Sequence, residues 1–190
     1  AHLELNPSNF QYHFTHRVGC ITALHNAKWM SRQPCAKSGA AGYQVGLDGV
    51  LVCRDALDVR GTPGYKSPEQ LPPVQYAKIA QDYNKTGALG DHPGGWSYAM
   101  DVWSAGITLL NIATGMLELC NEQDYTLAER AANACGRPWV NNFLAERGSY
   151  LSGNVVEAGF FDMIDSMLHF NWSKRATFVD LEDHRFLDSS

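Results

Sequence analysis

Four groups of residues in this chain have types and spacings that could do chemistry. His13, His16 and Cys20, with His25 and Cys35 after them, offer the imidazole and thiolate donors that zinc takes. A closed zinc site needs four ligands, and no fourth falls at matching spacing. The plainer reading is a polar hairpin with a small buried cysteine. Glu4 and Asp101 would form a general acid–base pair if folding brought them together. The segment Gly90-Asp91-His92-Pro93-Gly94-Gly95 has the glycine content of a phosphate cradle. It lacks both the Lys-Ser/Thr that follows in such a loop and the strand that precedes it, so an insertion loop is the better reading. Trp29, Trp96 and Trp139 lie in or beside expected loops, where an exposed indole marks a contact surface and a covered one marks local packing. Trp103 falls in an apolar run and belongs to the core.

The elements that must position these residues are mostly helical. Phe10 to Phe14, Arg17 to Thr22 and Gly49 to Cys53 read as short β-type pieces, and the Gly/Ala-rich stretch from Ser38 to Gly49 as a loop. Gly61, Pro63, Gly64 and Pro68 keep Arg60 to Pro68 out of any helix interior. Leu71 to Asn84 has room for a short helix entered through Pro72 and Pro73. Gly87 to Gly95 reads as a second loop. Tyr98 to Thr114 is nearly all apolar, with Val102, Ala105, Leu109, Ile112 and Ala113 at helical spacing. It is too long for one strand and is expected to be a central buried helix ended by Gly115. Further helices are expected over Thr126 to Cys135, with a capping box formed by Thr126 and Glu129, over Gly159 to Phe170, and over Thr177 to Asp183 with Thr177 as cap.

Composition narrows the classes. The chain has 190 residues, a net charge of -5 and 18% charged residues, below the roughly 25% usual for soluble domains. With 45% hydrophobic residues it can bury a core, so disorder is not expected. The acidic balance argues against direct nucleic-acid binding. The run Val102 to Met116 is interrupted by Ser104, Thr108, Asn111 and Thr114, so no membrane-spanning segment is expected. Five cysteines, odd in number and without a CxxC, point to free thiols in a reducing, intracellular compartment. The first residue is Ala1 and not Met, and an upstream segment is expected to have been removed or to be missing. The Ala1 start permits a processed organellar location, and a nuclear one is implied instead by the family resemblance given below.

Three segments in order resemble the C-terminal lobe of a eukaryotic protein kinase. Gly61-Thr62-Pro63-Gly64-Tyr65-Lys66-Ser67-Pro68-Glu69 resembles the end of an activation segment. Asp101-Val102-Trp103-Ser104-Ala105-Gly106 resembles the start of the large central helix. Trp172-Ser173-Lys174-Arg175-Ala176-Thr177, followed by His184-Arg185-Phe186, resembles the end of the lobe. His2-Leu3-Glu4-Leu5-Asn6-Pro7-Ser8-Asn9-Phe10 is similar to a catalytic loop of the form His-Arg-Asp-x-Lys-Pro-x-Asn. The Pro-Ser-Asn-Phe, Gly-Thr-Pro-Gly-Tyr and Trp-Ser-Ala-Gly pieces are closest to the cell-division-cycle seven family of replication-initiating kinases, which depend on an activator subunit. The similarity spans essentially the whole chain.

The resemblance implies one mainly α domain over residues 1–190, a C-lobe-like body with a few short strands near the N-terminus. Residues 1–69 would hold the catalytic loop and activation segment, and 70–190 the helical body. The N-lobe, with its Gly-rich loop, strand lysine and helix glutamate, is expected to be absent. Structural roles are implied for Glu69, which would pair with Arg175 inside the lobe, and for Asp101, which would brace the catalytic loop. On this view Glu4 and Asp101 need no acid–base pairing to explain them. Tyr65 and Lys66 would sit where activation segments are modified, with only their position to suggest it.

The departures are chemical. Glu4 stands at the catalytic Asp position, Leu3 at the Arg before it and Asn6 at the catalytic-loop Lys, while Asn9 matches the metal-ligand Asn. Thr22 falls where the metal-binding Asp belongs, and a hydroxyl cannot replace a carboxylate that holds Mg²⁺ against phosphates. Positioning and charge stabilisation supply nearly all of phosphoryl-transfer catalysis. The sequence therefore reads as a kinase-like lobe without activity, cofactor or metal, serving as a structural or interaction subunit among protein partners. The alternatives are a truncated or split serine/threonine kinase whose N-lobe is elsewhere, and a regulatory pseudokinase.

Overall fold

A computed structural model describes residues 7–13, 15, 18–21, 43–45, 51–53, 61–83, 89–90, 97–114, 124–146 and 158–187. They are mainly helical: α1 (Pro73–Tyr83), α2 (Tyr98–Thr114), α3 (Asp124–Ala134), α4 (Val140–Glu146), α5 (Ala158–Met167) and α6 (Phe178–Glu182). Two antiparallel strand pairs precede them. β1 (Phe10–His13) pairs with β2 (Val18–Ile21), placing Phe10 opposite Ile21 and His13 opposite Val18. β3 (Tyr43–Val45) pairs with β4 (Leu51–Cys53). β3 falls inside the stretch expected to be a loop; its Tyr and Val suit a strand, and the surrounding glycines had outweighed them. Gly115, expected to end α2, lies outside the described residues.

α2 has the expected bounds and is central, with buried residues on more than one face. Of the expected stripe Val102 is buried, Ala105, Leu109 and Ala113 are partly covered and Ile112 is 62% exposed, while Met100, Trp103, Ile107 and Leu110 are fully buried. Ser104, Thr108 and Asn111 are buried as well. Short hydroxyl side chains can be buried in a helix because they return a hydrogen bond to a carbonyl one turn back. Ser104 Oγ donates to the Met100 carbonyl at 3.1 Å and Thr108 Oγ1 to the Ser104 carbonyl at 2.8 Å. At Gly106 an added Cβ would lie 2.9 Å from Leu168 Cδ2 and 3.0 Å from Met167 Cβ, so the missing side chain lets α2 and the end of α5 approach closely.

Around α2, α1 packs on α3 and α4 on α5. The Tyr76 ring of α1 stacks on Phe170 at 5.1 Å, and Phe160 of α5 meets Phe186 edge-on at 5.3 Å. α6 starts as its sequence dictates: Thr177 Oγ1 accepts from the Asp180 N–H at 3.2 Å, and the Asp180 carboxylate accepts from the Thr177 N–H at 2.7 Å. The Thr177 hydroxyl, which donates to the same carboxylate oxygen at 2.7 Å, and the Thr177 N–H hold the Asp180 carboxyl below its ordinary pKa, in that order.

Two helix starts depart from the sequence expectation. α3 begins at Asp124, two residues before the expected Thr126 cap. α4 was not expected at all. In both, the start is marked by a carboxylate bonded across the fold. Asp124 Oδ1 accepts the N–H groups of Gly64 at 2.8 Å and Lys66 at 3.1 Å. Asp165 Oδ1, from α5, accepts those of Trp139 at 2.8 Å and Val140 at 3.0 Å, capping α4 from outside its own segment. α5 ends at Met167, three residues short of the expected Phe170.

Candidate functional site

The three motif segments meet at one side chain, Arg175. It follows α5 on an irregular stretch, and its side chain has no exposure at all. A guanidinium has five N–H donors in a rigid plane, and each of them has an acceptor here. Nη1 donates to Glu69 Oε1 at 2.7 Å and to the Ala99 carbonyl at 2.5 Å. Nη2 donates to Glu69 Oε2 at 2.9 Å and to the Phe170 carbonyl at 3.4 Å. Nε donates to the His169 carbonyl at 3.0 Å. The Trp103 ring lies beneath, its centroid 5.2 Å from the guanidinium carbon. Glu69 is equally enclosed, in a short 3-10 turn at Pro68–Gln70. One cation thus joins the 61–69 segment, the first turn of α2 and the end of α5.

The 61–69 segment is fastened along its length. Gly64 has a φ of 84°, the left-handed region where a side chain is costly. That turn aims its N–H at Asp124. Burial raises the Asp124 pKa above the usual carboxylate value, opposed by the Gly64 and Lys66 N–H groups. Ser104 Oγ donates to the Tyr65 carbonyl at 2.8 Å, and Asn111 Nδ2 donates to the Tyr65 hydroxyl at 2.9 Å. Tyr65 is buried, so its hydroxyl is not offered to a modifying enzyme in this conformation. Ser67 is buried too, with both its N–H and its hydroxyl on Gln70 Oε1.

The other expected residues are placed as follows. Asp101 is buried in the first turn of α2. Asn9 is buried in a 3-10 turn, Pro7–Asn9, just before β1. Glu4, Asn6 and Thr22 lie outside the described residues, as do His16, His25, Cys35, Trp29, Trp96 and most of the Gly87–Gly95 stretch. Leu89 and Gly90, from that stretch, are described: Leu89 is buried, and both carbonyls face the Tyr76 hydroxyl at 3.5 Å. Trp139 is covered, and its Nε1 donates to the Leu168 carbonyl at 3.2 Å. No group of three or more His, Cys, Asp or Glu among the described residues is arranged to hold a metal ion.

Sequence reading missed Asp165 and His169, which line a cavity of about 250 Å³ beside Gly136. Burial raises the Asp165 pKa against the Trp139 and Val140 N–H groups. Burial also lowers the His169 pKa, and the Arg175 charge adds to it. The His169 Nδ1 accepts from the Asn171 N–H at 3.1 Å, which places the proton of the neutral ring on Nε2. The only local signal for His169 was its position just before the third motif.

Around Arg175 the arrangement can hold but not react, since every donor is already engaged. No family model matches the chain, and a search of curated proteins finds none similar to it. No helix among the described residues is long and apolar enough to cross a membrane.

Proposed function

We propose that this chain carries a protein-kinase C-lobe-like domain that has lost phosphoryl-transfer chemistry and serves as an interaction subunit of a larger protein assembly. The observation that carries the reading is the Arg175 cluster. Three segments, far apart in the sequence and singled out by the resemblance, come together on one buried, fully bonded guanidinium. A buried pair of this kind makes a poor site for turnover and a good brace for a lobe. The loss of chemistry is read from Glu4, Asn6 and Thr22, which stand where a kinase needs Asp, Lys and Asp.

Two measurements test this reading. The native size of the protein in its source extract, with mass spectrometry of what travels with it, is expected to show a larger complex of constant stoichiometry. Thermal unfolding with about 1 mM Mg·ATP is expected to show no shift, because a ligand that binds only the folded state must raise stability. A clear upward shift returns the reading to an active or split kinase. A free monomer removes the subunit role.

A further inference from the structure

α3 and α4 meet at a corner turned by Cys135 and Gly136, both in the left-handed region. The corner holds a cavity of about 320 Å³, within the range of ligand pockets. Its floor is aromatic: Phe143 is 1% exposed and Trp139 8%, their rings edge-on at 5.7 Å. Two guanidinium groups stand at its mouth. That of Arg130 lies over the Phe143 ring at 4.9 Å, and Nη1 donates to Glu146 at 2.7 Å. Its Nε is enclosed and has no partner among the described residues. Arg137 is exposed, and its Nε donates to the Ala134 carbonyl at 3.2 Å, closing the end of α3, which it follows. Its two terminal nitrogens have no partner among the described residues.

A chain of net charge -5 thus sets two arginines against a single carboxylate at one cavity. That carboxylate is an incomplete partner. Arginine prefers to grip a carboxylate with two parallel bonds, and Glu146 supplies one bond while remaining 59% exposed. An exposed pair of this kind is weak and exchangeable. The surplus of one positive charge matches one incoming carboxylate and is too small for a phosphate dianion.

We propose that this cavity docks an acidic segment of a partner protein. Its carboxylate replaces Glu146 on Arg130 and reaches Arg137, and an adjacent apolar side chain lies against Pro138 and Trp139. The choice of a protein segment over a small molecule rests on the interaction role proposed above; the carboxylate chemistry of the cavity does not.

The test is a titration of the ¹⁵N-labelled chain, following arginine Nε–H and tryptophan indole N–H resonances. The probes are a capped Asp-Leu-Asp-Leu peptide, its Asn-Leu-Asn-Leu counterpart and sodium acetate. The acidic peptide is expected to shift the Arg130, Arg137 and Trp139 signals, and the amide peptide to leave them in place. Arg137→Gln is expected to weaken the response. Glu146→Gln, which removes the internal competitor, is expected to tighten binding by up to about fivefold, the scale of an exposed ion pair. Misfolding cannot mimic that gain. Equal responses to both peptides, no response to either, or no gain from Glu146→Gln overturn the site. A response to acetate equal to that of the acidic peptide overturns the protein segment as occupant. The two proposals also fail separately: a silent titration with a chain found in a large complex removes this site alone, whereas a peptide response with a free monomeric chain removes the subunit role.

Discussion

The chain uses the same chemical group in opposite ways in two places. At Arg175 the guanidinium is wholly enclosed, and its five donors meet Glu69 and three backbone carbonyls. At the α3–α4 corner the Arg130 side chain is about one-third exposed, makes one described ion pair and keeps an Nε without a partner among the described residues. A charge that is buried and fully bonded is fixed, because any change leaves something unpaired in a dry interior. A charge that is half-wet and partly bonded can be handed from one partner to another at little cost. The first fits a brace and the second a contact. That difference can be tested in steps of decreasing size.

The largest effect is expected at the brace. Arg175→Ala strands the Glu69 carboxylate and removes donors from the Ala99, His169 and Phe170 carbonyls, and should cost about 3–5 kcal/mol by urea unfolding. Glu69→Leu combined with Arg175→Met removes both charges and should recover part of that loss. The recovery stays incomplete because the three carbonyls remain without their donor. A cost below about 1 kcal/mol for Arg175→Ala is what a surface pair gives, and would erase the contrast between the two regions.

An intermediate effect is expected where the two regions adjoin. Asp165 caps α4, which forms one wall of the corner cavity, so Asp165→Ala should cost about 0.5–2 kcal/mol, the usual range for a lost cap. Asp165→Asn keeps an acceptor and should cost less. Circular dichroism and urea unfolding of the two variants separate the cap from the charge.

The same Asp165 shows where sequence reading stops. Local signals were sufficient when an element's start and end are set by its own residues: the Thr177 and Asp180 capping box of α6, the proline entry of α1 and the apolar length of α2 were all legible. They were insufficient where the deciding group is distant. Asp165 lies 25 residues from the Val140 N–H it caps. Asp124, in the first turn of α3, is bonded to Gly64, 60 residues earlier. The burial of Ser104, Thr108 and Asn111 in α2 was not legible, because they count as polar on any hydropathy scale, yet each is bonded inside. At the candidate site, Glu69 and Arg175 could be paired in advance only through the family resemblance. The corner cavity had no signal, since Arg130, Phe143 and Glu146 become neighbours only after α3 and α4 pack.

Acidity is expected to reach the brace through His169, whose carbonyl binds Arg175 Nε. Its folded pKa lies below the ordinary 6.5, lowered by burial and by the Arg175 and Lys174 charges. Asp162 and Asp165 line the same cavity. For a histidine held neutral by the fold, the unfolded chain binds the extra proton first. Its contribution is therefore complete above the unfolded pKa and declines as the pH falls from there toward the folded value. Asp124 and Asp165, raised above 3.8, act in the opposite sense at lower pH, where protonation relieves their burial. His169→Asn keeps an acceptor for the Asn171 N–H and does not titrate. It should flatten the stability loss between about pH 7.5 and pH 5.5. Equal losses in the variant and the parent would place the acid sensitivity elsewhere.

The smallest effect is expected at the corner, where smallness is the point. Arg130 and Glu146 are 34% and 59% exposed, and one 2.7 Å bond joins them. A double-mutant cycle of Arg130→Met and Glu146→Gln should return a coupling of about 0.2–1 kcal/mol, declining with added salt. Methionine retains much of the stem that covers Phe143, so the cycle reads charge and not lost packing. A coupling of 2 kcal/mol or more, about twice the top of that range, would mean that Glu146 is a fixed partner. Arg130 would then resemble Arg175, and the corner would have nothing to exchange with an incoming carboxylate. A small, salt-sensitive coupling keeps the two regions distinct: one guanidinium bound for good inside the fold, the other held at its surface by a bond weak enough to give up.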